Sequence, residues 1–254
     1  MLGAGGRMGR AVIAELSASG SGALAAACDR PGGDAIGTEA APGITIGADL
    51  AAALEGCDAY IDFTTPEATA TAARQAATRR VAAVVGTTGL GDDAEAALAE
   101  LSEVAPVLVA PNFSLGVNLL LGLAEKAARA LGPDFDLEVV EAHHRHKRDA
   151  PSGTARALAE ALAAGRGLNA VEASIGGREG DVGPRTRDEI GVMALRGGSV
   201  VGEHTAYFLG EGERIEISHR AESRSIFAAG AVKAALWAAG KPAGRYGMRD
   251  VLGL

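Results

Sequence analysis

The sequence predicts an α/β chain: a parallel sheet with helices on both faces, followed by a stretch whose texture reads as a mixed sheet. Three observations carry this. A glycine-rich loop at Gly3–Gly9 opens a helix-patterned run. From Ile44 to Pro111 short β-prone runs alternate with amphipathic ones, and beyond Glu172 the texture changes to β runs separated by turn glycines. Alternation of strand and helix at that period means a parallel sheet, whose ligands sit at the carboxyl ends of its strands.

Taken in order, Met8, Val12, Ile13 and Leu16 fall at helical spacing after the glycines. Gly3, Gly6 and Gly9 spell G-x-x-G-x-x-G; the stricter G-x-G-x-x-G is missed because Met8 stands where its third glycine would fall. The loop Gly3, Ala4, Gly5, Gly6, Arg7 and Met8 still suits a pyrophosphate, because backbone N–H groups can approach it with no Cβ in the way. The next apolar run, A-L-A-A-A-C, ends in Asp29-Arg30, placing an acid twenty positions after Gly9. A carboxylate there suits the ribose hydroxyls of a bound adenosine, and Arg30 beside it suits a 2'-phosphate. The plainer reading of Asp29 is a strand-end turn residue ahead of Pro31-Gly32-Gly33; the glycine loop tips the balance toward the ribose.

The following strand ends carry Phe63-Thr64-Thr65-Pro66, Gly86-Thr87-Thr88-Gly89 and Ala110-Pro111-Asn112-Phe113. Each alone is an ordinary strand-to-helix turn, with Thr65 and Pro66 as N-cap and first helical residue. Ser114 to Leu131 reads as a long helix with more apolar residues than one face needs. It leads into D-F-D-L-E-V-V-E-A and the densest chemistry in the chain, E-A-H-H-R-H-K-R-D-A-P-S-G-T from Glu141 to Thr154, which holds three of the five histidines. The formal net charge is -8, so this basic cluster is local, and a small dianion would be drawn to it. Histidine and a lysine among cations can both give up protons near neutrality. Ser152-Gly153-Thr154 opens the helical run A-R-A-L-A-E-A-L-A-A, whose free N–H groups make a carboxylate site; Ser152 or Thr154 as simple cap is the alternative, and the two roles can coincide.

The stretch resembles the signature of the dihydrodipicolinate reductases, E-x-H-H-x-x-K-x-D-x-P-S-G-T, at every defined position. The resemblance extends over nearly the whole chain, through G-T-T at Gly86, Thr87 and Thr88, A-P-N-F at Ala110, Pro111, Asn112 and Phe113, and G-R-E-G, E-I-G, R-G-G, G-E-H-T and S-R-x-x-F-A-x-G-A further on. It implies a Rossmann-like dinucleotide-binding domain, residues 1–114 and 224–254, and an inserted α+β mixed-sheet domain for substrate binding and oligomerisation, residues 115–223. It further implies NADPH or NADH as cofactor, with G-T-T and A-P-N-F contacting it, His143 and Lys147 as catalytic proton donors, and a dicarboxylate substrate held by His144, Ser152, Gly153 and Thr154. The implied reaction reduces a cyclic imine formed from 4-hydroxy-tetrahydrodipicolinate to tetrahydrodipicolinate, on the route to diaminopimelate and lysine, in a homotetramer. Two alternatives are a reductase of another cyclic imine on the same scaffold, against which the full match at His143, His144, Lys147 and Ser152–Thr154 argues, and a cofactor-binding homologue without turnover, against which the retention of both proton donors argues.

Other classes fit poorly. A metal site at His143, His144 and His146 would lack H-E-x-x-H, C-x-x-C and any second ligand cluster. Nucleic-acid binding is disfavoured by an isoelectric point near 5.2 and aromatic content of only 4%. No charge-free apolar run reaches the length of a membrane span and no signal-peptide pattern is seen, so a cytoplasmic protein is expected, with Cys28 and Cys57 as buried free thiols. Beyond Glu172, G-G-R-E-G-D-V-G-P-R-T-R-D-E, E-I-G-V-M-A-L-R-G-G, V-V-G-E-H-T-A-Y-F and R-I-E-I-S-H-R-A read as strands with glycine turns; Ile215 and Ile217 alternate with polar residues, and Gly210-Glu211-Gly212 reads as a hairpin turn. Arg178, Arg187, Arg196, His204 and His219 read as surface or hairpin positions rather than ligands. The helix from Ser223 to Ala239 closes the chain with Y-G-M-R-D-V-L-G-L.

One departure carries its own expectation. A dinucleotide fold needs a strand leading into the glycine loop, central and paired on both sides, and Met1-Leu2 is too short to make one. The expectation is that the natural chain starts upstream of Met1, and that neighbouring strands are left with unpaired edges and a gap in the core. The 254-residue form should then bind cofactor weakly and be poorly stable until an apolar β run of about six residues is added ahead of Met1.

Overall fold

A computed structural model describes residues 1–254 as two compact units, Met1–Leu115 with Ser225–Gly253, and Gly116–Arg224 with Leu254. In chain order the elements are α1 (Arg7–Ser19), β1 (Ala27–Cys28), β2 (Glu39–Ala41), β3 (Ile44–Gly47), α2 (Leu50–Leu54), β4 (Ala59–Asp62), α3 (Pro66–Arg79), β5 (Ala82–Val85), α4 (Asp92–Ser102) and β6 (Pro106–Val109). Then come α5 (Leu115–Leu131), β7 (Asp136–His143), α6 (Gly153–Arg166), α7 (Ala170–Ala173), β8 (Ser174–Ile175), β9 (Ile190–Arg196), β10 (Gly202–Gly210) and β11 (Glu213–Ala221). The chain ends with α8 (Ser225–Ala238), β12 (Gly244–Tyr246) and α9 (Met248–Leu252).

In the first unit β4, β5, β6 and β12 pair in parallel in the order β12-β6-β5-β4, and β1 pairs in parallel with β3. Alternation explains why β5 reads as an unbroken apolar run. Its Ala83 and Val85 pack with Ala73 and Ala76 of α3 and Leu98 and Leu101 of α4, while Ala82 and Val84 pack on the opposite face with Val12 of α1 and Ala231 of α8. Thr65 caps α3 by accepting from the Ala68 amide at 3.4 Å, with Pro66 as the first helical residue. Cys28 and Cys57 are free thiols, Cys28 buried and Cys57 half-buried.

Met1 and Leu2 occupy the place of the first strand. Leu2 bridges Cys28 on one side and Asp62 on the other, both in parallel sense. The Leu2 amide donates to the Ile61 carbonyl at 2.9 Å, the Cys28 amide to the Met1 carbonyl at 2.9 Å, and the Met1 amine to the Ala26 carbonyl at 2.8 Å. The expected unpaired edges are therefore closed at the ends of β1 and β4 that face the glycine loop.

The second unit is a mixed sheet in the order β11-β10-β7-β9-β8, antiparallel across β11-β10-β7 and parallel across β7-β9-β8. One face is apolar: Leu137, Val139, Ile190, Val192, Ala206 and Phe208 pack under Leu120, Ala124 and Ala128 of α5 and Leu158 and Leu162 of α6. The β10–β11 hairpin turns at Glu211-Gly212, where Gly212 takes φ +81°, a left-handed conformation suited to glycine. The stretch G-G-R-E-G-D-V-G-P-R-T-R-D-E is not a strand. Residues 176–189 run outside regular structure, as their four glycines and one proline favour, and ion pairs pin them. Arg178 pairs with Glu138 at 2.8 Å and Glu189 at 2.6 Å, and Arg185 with Asp136 at 3.0 Å and Glu138 at 3.1 Å. The Glu138 carboxylate lies on Gly191, whose absent Cβ would fall 1.8 Å from Oε2.

Candidate functional site

Two groups of predicted residues are assembled, one in each unit. In the first unit they gather at the carboxyl ends of the parallel strands. The Gly6 amide closes a tight turn onto the Gly3 carbonyl at 3.0 Å, Gly3 has φ +71°, and α1 follows from an N-cap Gly6 that supplies no side-chain cap. The first-turn amides of α1 are thus left to a ligand. A Cβ at Gly9 would stand 2.1 Å from the Gly3 carbonyl oxygen, and one at Gly5 2.3 Å from Ala35 Cβ, so this cradle fits only glycine. Asp29 is built into it: its Oδ2 accepts from the Gly5 amide at 2.6 Å and its Oδ1 from the Arg30 amide at 2.7 Å. Each oxygen keeps a further acceptor site, so the contact with the loop is compatible with a ribose hydroxyl. Arg30 and Arg7 are exposed beside it.

Across the strand ends, Asp62 is a hub that sequence reasoning missed. Fully buried, it accepts from Thr64 Oγ1 at 2.5 Å, Thr69 Oγ1 at 2.7 Å and Thr87 Oγ1 at 3.4 Å. The Thr64 amide in turn donates to Thr87 Oγ1 at 3.1 Å, which ties the Phe63–Thr65 turn to Gly86–Thr88. Burial pushes the Asp62 carboxyl above its usual range, against the pull of those hydroxyls. Gly86 must lack a side chain because a Cβ there would meet the Phe63 ring at 2.1 Å. Phe63 meets Phe113 edge-to-face at 5.6 Å. Of the A-P-N-F residues, Ala110 and Phe113 are buried in the core, Asn112 accepts from the Ser114 amide at 2.8 Å, and Pro111 is exposed. The signal for Asp62 was present as a carboxylate ending an apolar run, but nothing in spacing distinguishes a buried hub from a turn residue.

In the second unit β7 carries Glu141 and His143 on one face, and the chain leaves it through His144–Asp149 into α6. The Glu141 carboxylate is fully buried. Its Oε1 accepts from the Ser152 amide at 2.9 Å and Arg196 Nη2 at 2.8 Å; its Oε2 accepts from Arg196 Nη1 at 2.7 Å and pairs with His143 Nδ1 at 2.6 Å. Burial alone would raise this carboxyl, but the bonds from Arg196, His143 and Ser152 overcome it and hold it down at about 2. Ser152 caps α6 by accepting from the Ala155 amide at 3.1 Å, and its Oγ pairs with His204 Nε2 at 3.0 Å. His204 is 4% exposed and meets His143 edge-to-face at 5.1 Å. Burial, then the charge of His143, pushes the His204 imidazole down to about 4, so it is neutral at pH 7.

Arg196 and His204, expected at surface or hairpin positions, are corrected by this geometry. The β7–β9 and β7–β10 registers, Ala142 with Leu195 and His204 with Glu141, bring them under the cluster, and register between distant strands is not written in local spacing. Ser152, predicted as a substrate ligand, has both its amide and its hydroxyl engaged within the protein, whereas Gly153 is exposed at the open first turn of α6, beside half-buried Thr154. Lys147 Nζ donates to Asp149 at 2.9 Å. His144 lies 3.4 Å from Arg224, and its imidazole is held below its usual value by burial and then by Arg224, His143, His146 and Lys147. The cations around His144 thus favour its neutral form, and they can themselves attract a carboxylate ligand.

A glycine cradle opening a helix at the strand ends, with an acid at the next strand end, has the geometry that suits a dinucleotide. Oxidoreductases that take a hydride from a nicotinamide are the class this fold and these strand ends define. Comparison with known proteins narrows it. Residues 1–113 match the family description dihydrodipicolinate reductase, N-terminus, and residues 116–252 dihydrodipicolinate reductase, C-terminus. The 4-hydroxy-tetrahydrodipicolinate reductase of Alkalilimnicola ehrlichii is 51% identical over 261 aligned positions, which cover 100% of this chain and 98% of that one. The Acinetobacter baumannii enzyme of the same name is 49% identical, with 100% and 95% covered. Dipicolinate-bound dihydrodipicolinate reductase from Paenisporosarcina sp. TG-14 shares the fold, with a TM-score of 0.79 at 23% identity over 97% of this chain and 95% of that one. This chain belongs to the dihydrodipicolinate reductase family.

Proposed function

We propose that the chain reduces the cyclic imine formed from 4-hydroxy-tetrahydrodipicolinate by loss of water, giving tetrahydrodipicolinate in the diaminopimelate and lysine pathway. The single observation that carries this is the Glu141–Thr154 cluster, in a chain half identical, end to end, to curated reductases of that name. NADH or NADPH supplies the hydride when bound. Its seat is the first unit: Gly3, Ala4, Gly5, Gly6, Arg7 and Met8 for the pyrophosphate, Asp29 and Arg30 for the ribose, and Gly86, Thr87, Thr88 and Ala110–Phe113 for the nicotinamide end. The second unit holds the dicarboxylate substrate, with His144, Gly153 and Thr154 on a carboxylate, and Ser152 fixing the start of α6. His143 is the acid that meets the developing negative charge, and Lys147 donates toward the ring nitrogen, exchanging Asp149 for substrate.

The uncovered face of the mixed sheet, with Val140, Met193 and Leu195, the last 58% exposed, supports a homotetramer formed through that sheet. The free thiols and the biosynthetic reaction support a cytoplasmic location, and no helix is long and apolar enough to cross a membrane. Replacing His143 or Lys147 by Ala should lower turnover by roughly 10²- to 10⁴-fold. Near-normal turnover in both variants, measured with fresh substrate, would remove the assignment.

A further inference from the structure

Glu141 is unusual among the carboxylates of this chain because all its acceptor sites are filled. Two per oxygen are available, and they are taken by Arg196 Nη2 and the Ser152 amide on Oε1, and by Arg196 Nη1 and His143 Nδ1 on Oε2. Three of these four partners can only donate. The fourth, His143 Nδ1, sits 2.6 Å from an oxygen already paired with a guanidinium, so it too must donate. That leaves Nε2 as the one ring atom of His143 able to pass a proton outward. The Nε2 edge lies over Gly202, where a Cβ would stand only 3.0 Å from Nε2, and the ring's flank is closed by His204. One carboxylate therefore touches both the side chain assigned as acid and the N-cap residue of the helix assigned to the substrate carboxylate.

We propose that Glu141, clamped by Arg196, is a positioning residue for the reaction: it keeps Nδ1 of His143 protonated, so that the imidazolium gives up its Nε2 proton and is left as the Nδ1–H tautomer, and it locks that ring to the N-terminus of α6 through the Ser152 amide. The claim rests on the reading of His143 as the acid. It goes further in naming which ring nitrogen acts and what holds the acid and the anion site in register. The logic is that of a buried carboxylate orienting a catalytic imidazole without itself exchanging a proton. The carboxyl's ionisation, held at about 2, agrees with that role.

The test begins with the unaltered protein. In ¹⁵N-histidine-labelled chain, with the His143 resonances assigned by their loss in His143→Asn, neutral His143 should show a protonated Nδ1 and an unprotonated Nε2. The reverse pattern overturns the proposal, and this arm needs no variant of Glu141 to fold. In Glu141→Gln the preference should weaken or invert, turnover should fall roughly 10²-fold, and dipicolinate should bind more weakly, while the Michaelis constant for the cofactor stays put. Wild-type turnover and an unchanged tautomer in Glu141→Gln would sink the positioning role even where His143→Ala is inactive. A fully active His143→Ala would instead sink the acid assignment, whatever the tautomer.

Discussion

Glu141 and Asp62 are both fully buried carboxylates near strand ends, and their surroundings drive them in opposite directions. Asp62 meets three threonine hydroxyls and no guanidinium, so burial wins and its pKa rises; Glu141 meets a bidentate guanidinium, and its pKa falls to about 2. A pH dependence of stability follows. Glu141 has a folded value below its ordinary 4.5, so its stabilisation is complete above about 4.5 and is lost as pH falls toward about 2. His204, depressed from 6.5 to about 4, is neutral when folded, so it too withdraws stability as pH falls across that interval. Urea unfolding midpoints should drop below pH 6.5 and drop again below 4.5, and Glu141→Gln should flatten the lower step; a midpoint constant from pH 7 to 3 would contradict both. At the nucleotide end, Arg30→Ala should weaken NADPH more than NADH and Asp29→Ala the reverse, because a guanidinium pairs with a 2'-phosphate that a carboxylate repels. Equal changes in the Michaelis constants of both cofactors would show that the pair does not read the ribose. Asp29 and His143 could be nominated from the sequence because each sits in a local motif; Arg196 and His204 could not, since their contacts with the cluster arise only from pairing across distant strands.

Among the elements, the ones read best were those with local signals. Thr65-Pro66 and Ser152-Gly153 start α3 and α6 where capping chemistry places them. The run before Glu189 misled because turn glycines occur both between strands and inside a loop held by ion pairs; Arg178 and Arg185 do the holding, and their partners lie on β7 and at Glu189. Close approach of elements is likewise invisible locally. Gly230, inside α8, has no room for a side chain: a Cβ would stand 1.7 Å from the Phe113 carbonyl oxygen. Gly230→Ala should therefore destabilise by roughly 1–3 kcal/mol, as overpacking does. Gly47→Ala, with nothing within 4 Å of the new Cβ, should stay within about 0.5 kcal/mol of wild type. Equal midpoints for the two in urea titration would mean α8 can slide off Phe113 at no cost.

At the scale of the molecule, the sheet orders explain how two ordinary architectures divide the chemistry. The parallel unit gathers loops at one edge because every β4–β6 strand points the same way. The mixed unit places a buried ionic cluster where β7, β9 and β10 meet the start of α6. Strand–helix alternation made the first arrangement readable, while the bridges from Leu2 to Cys28 and Asp62 span too few residues to leave a pattern. Together the two units are built to reduce one particular cyclic imine. The most direct measurement is the initial rate of nicotinamide oxidation with freshly made 4-hydroxy-tetrahydrodipicolinate, beside a cyclic imine lacking one carboxylate, with NADH and with NADPH. Rapid turnover of the dicarboxylate with at least one cofactor is expected, with a large drop when the second carboxylate is missing. Turnover of neither, or equal turnover of both, would contradict it.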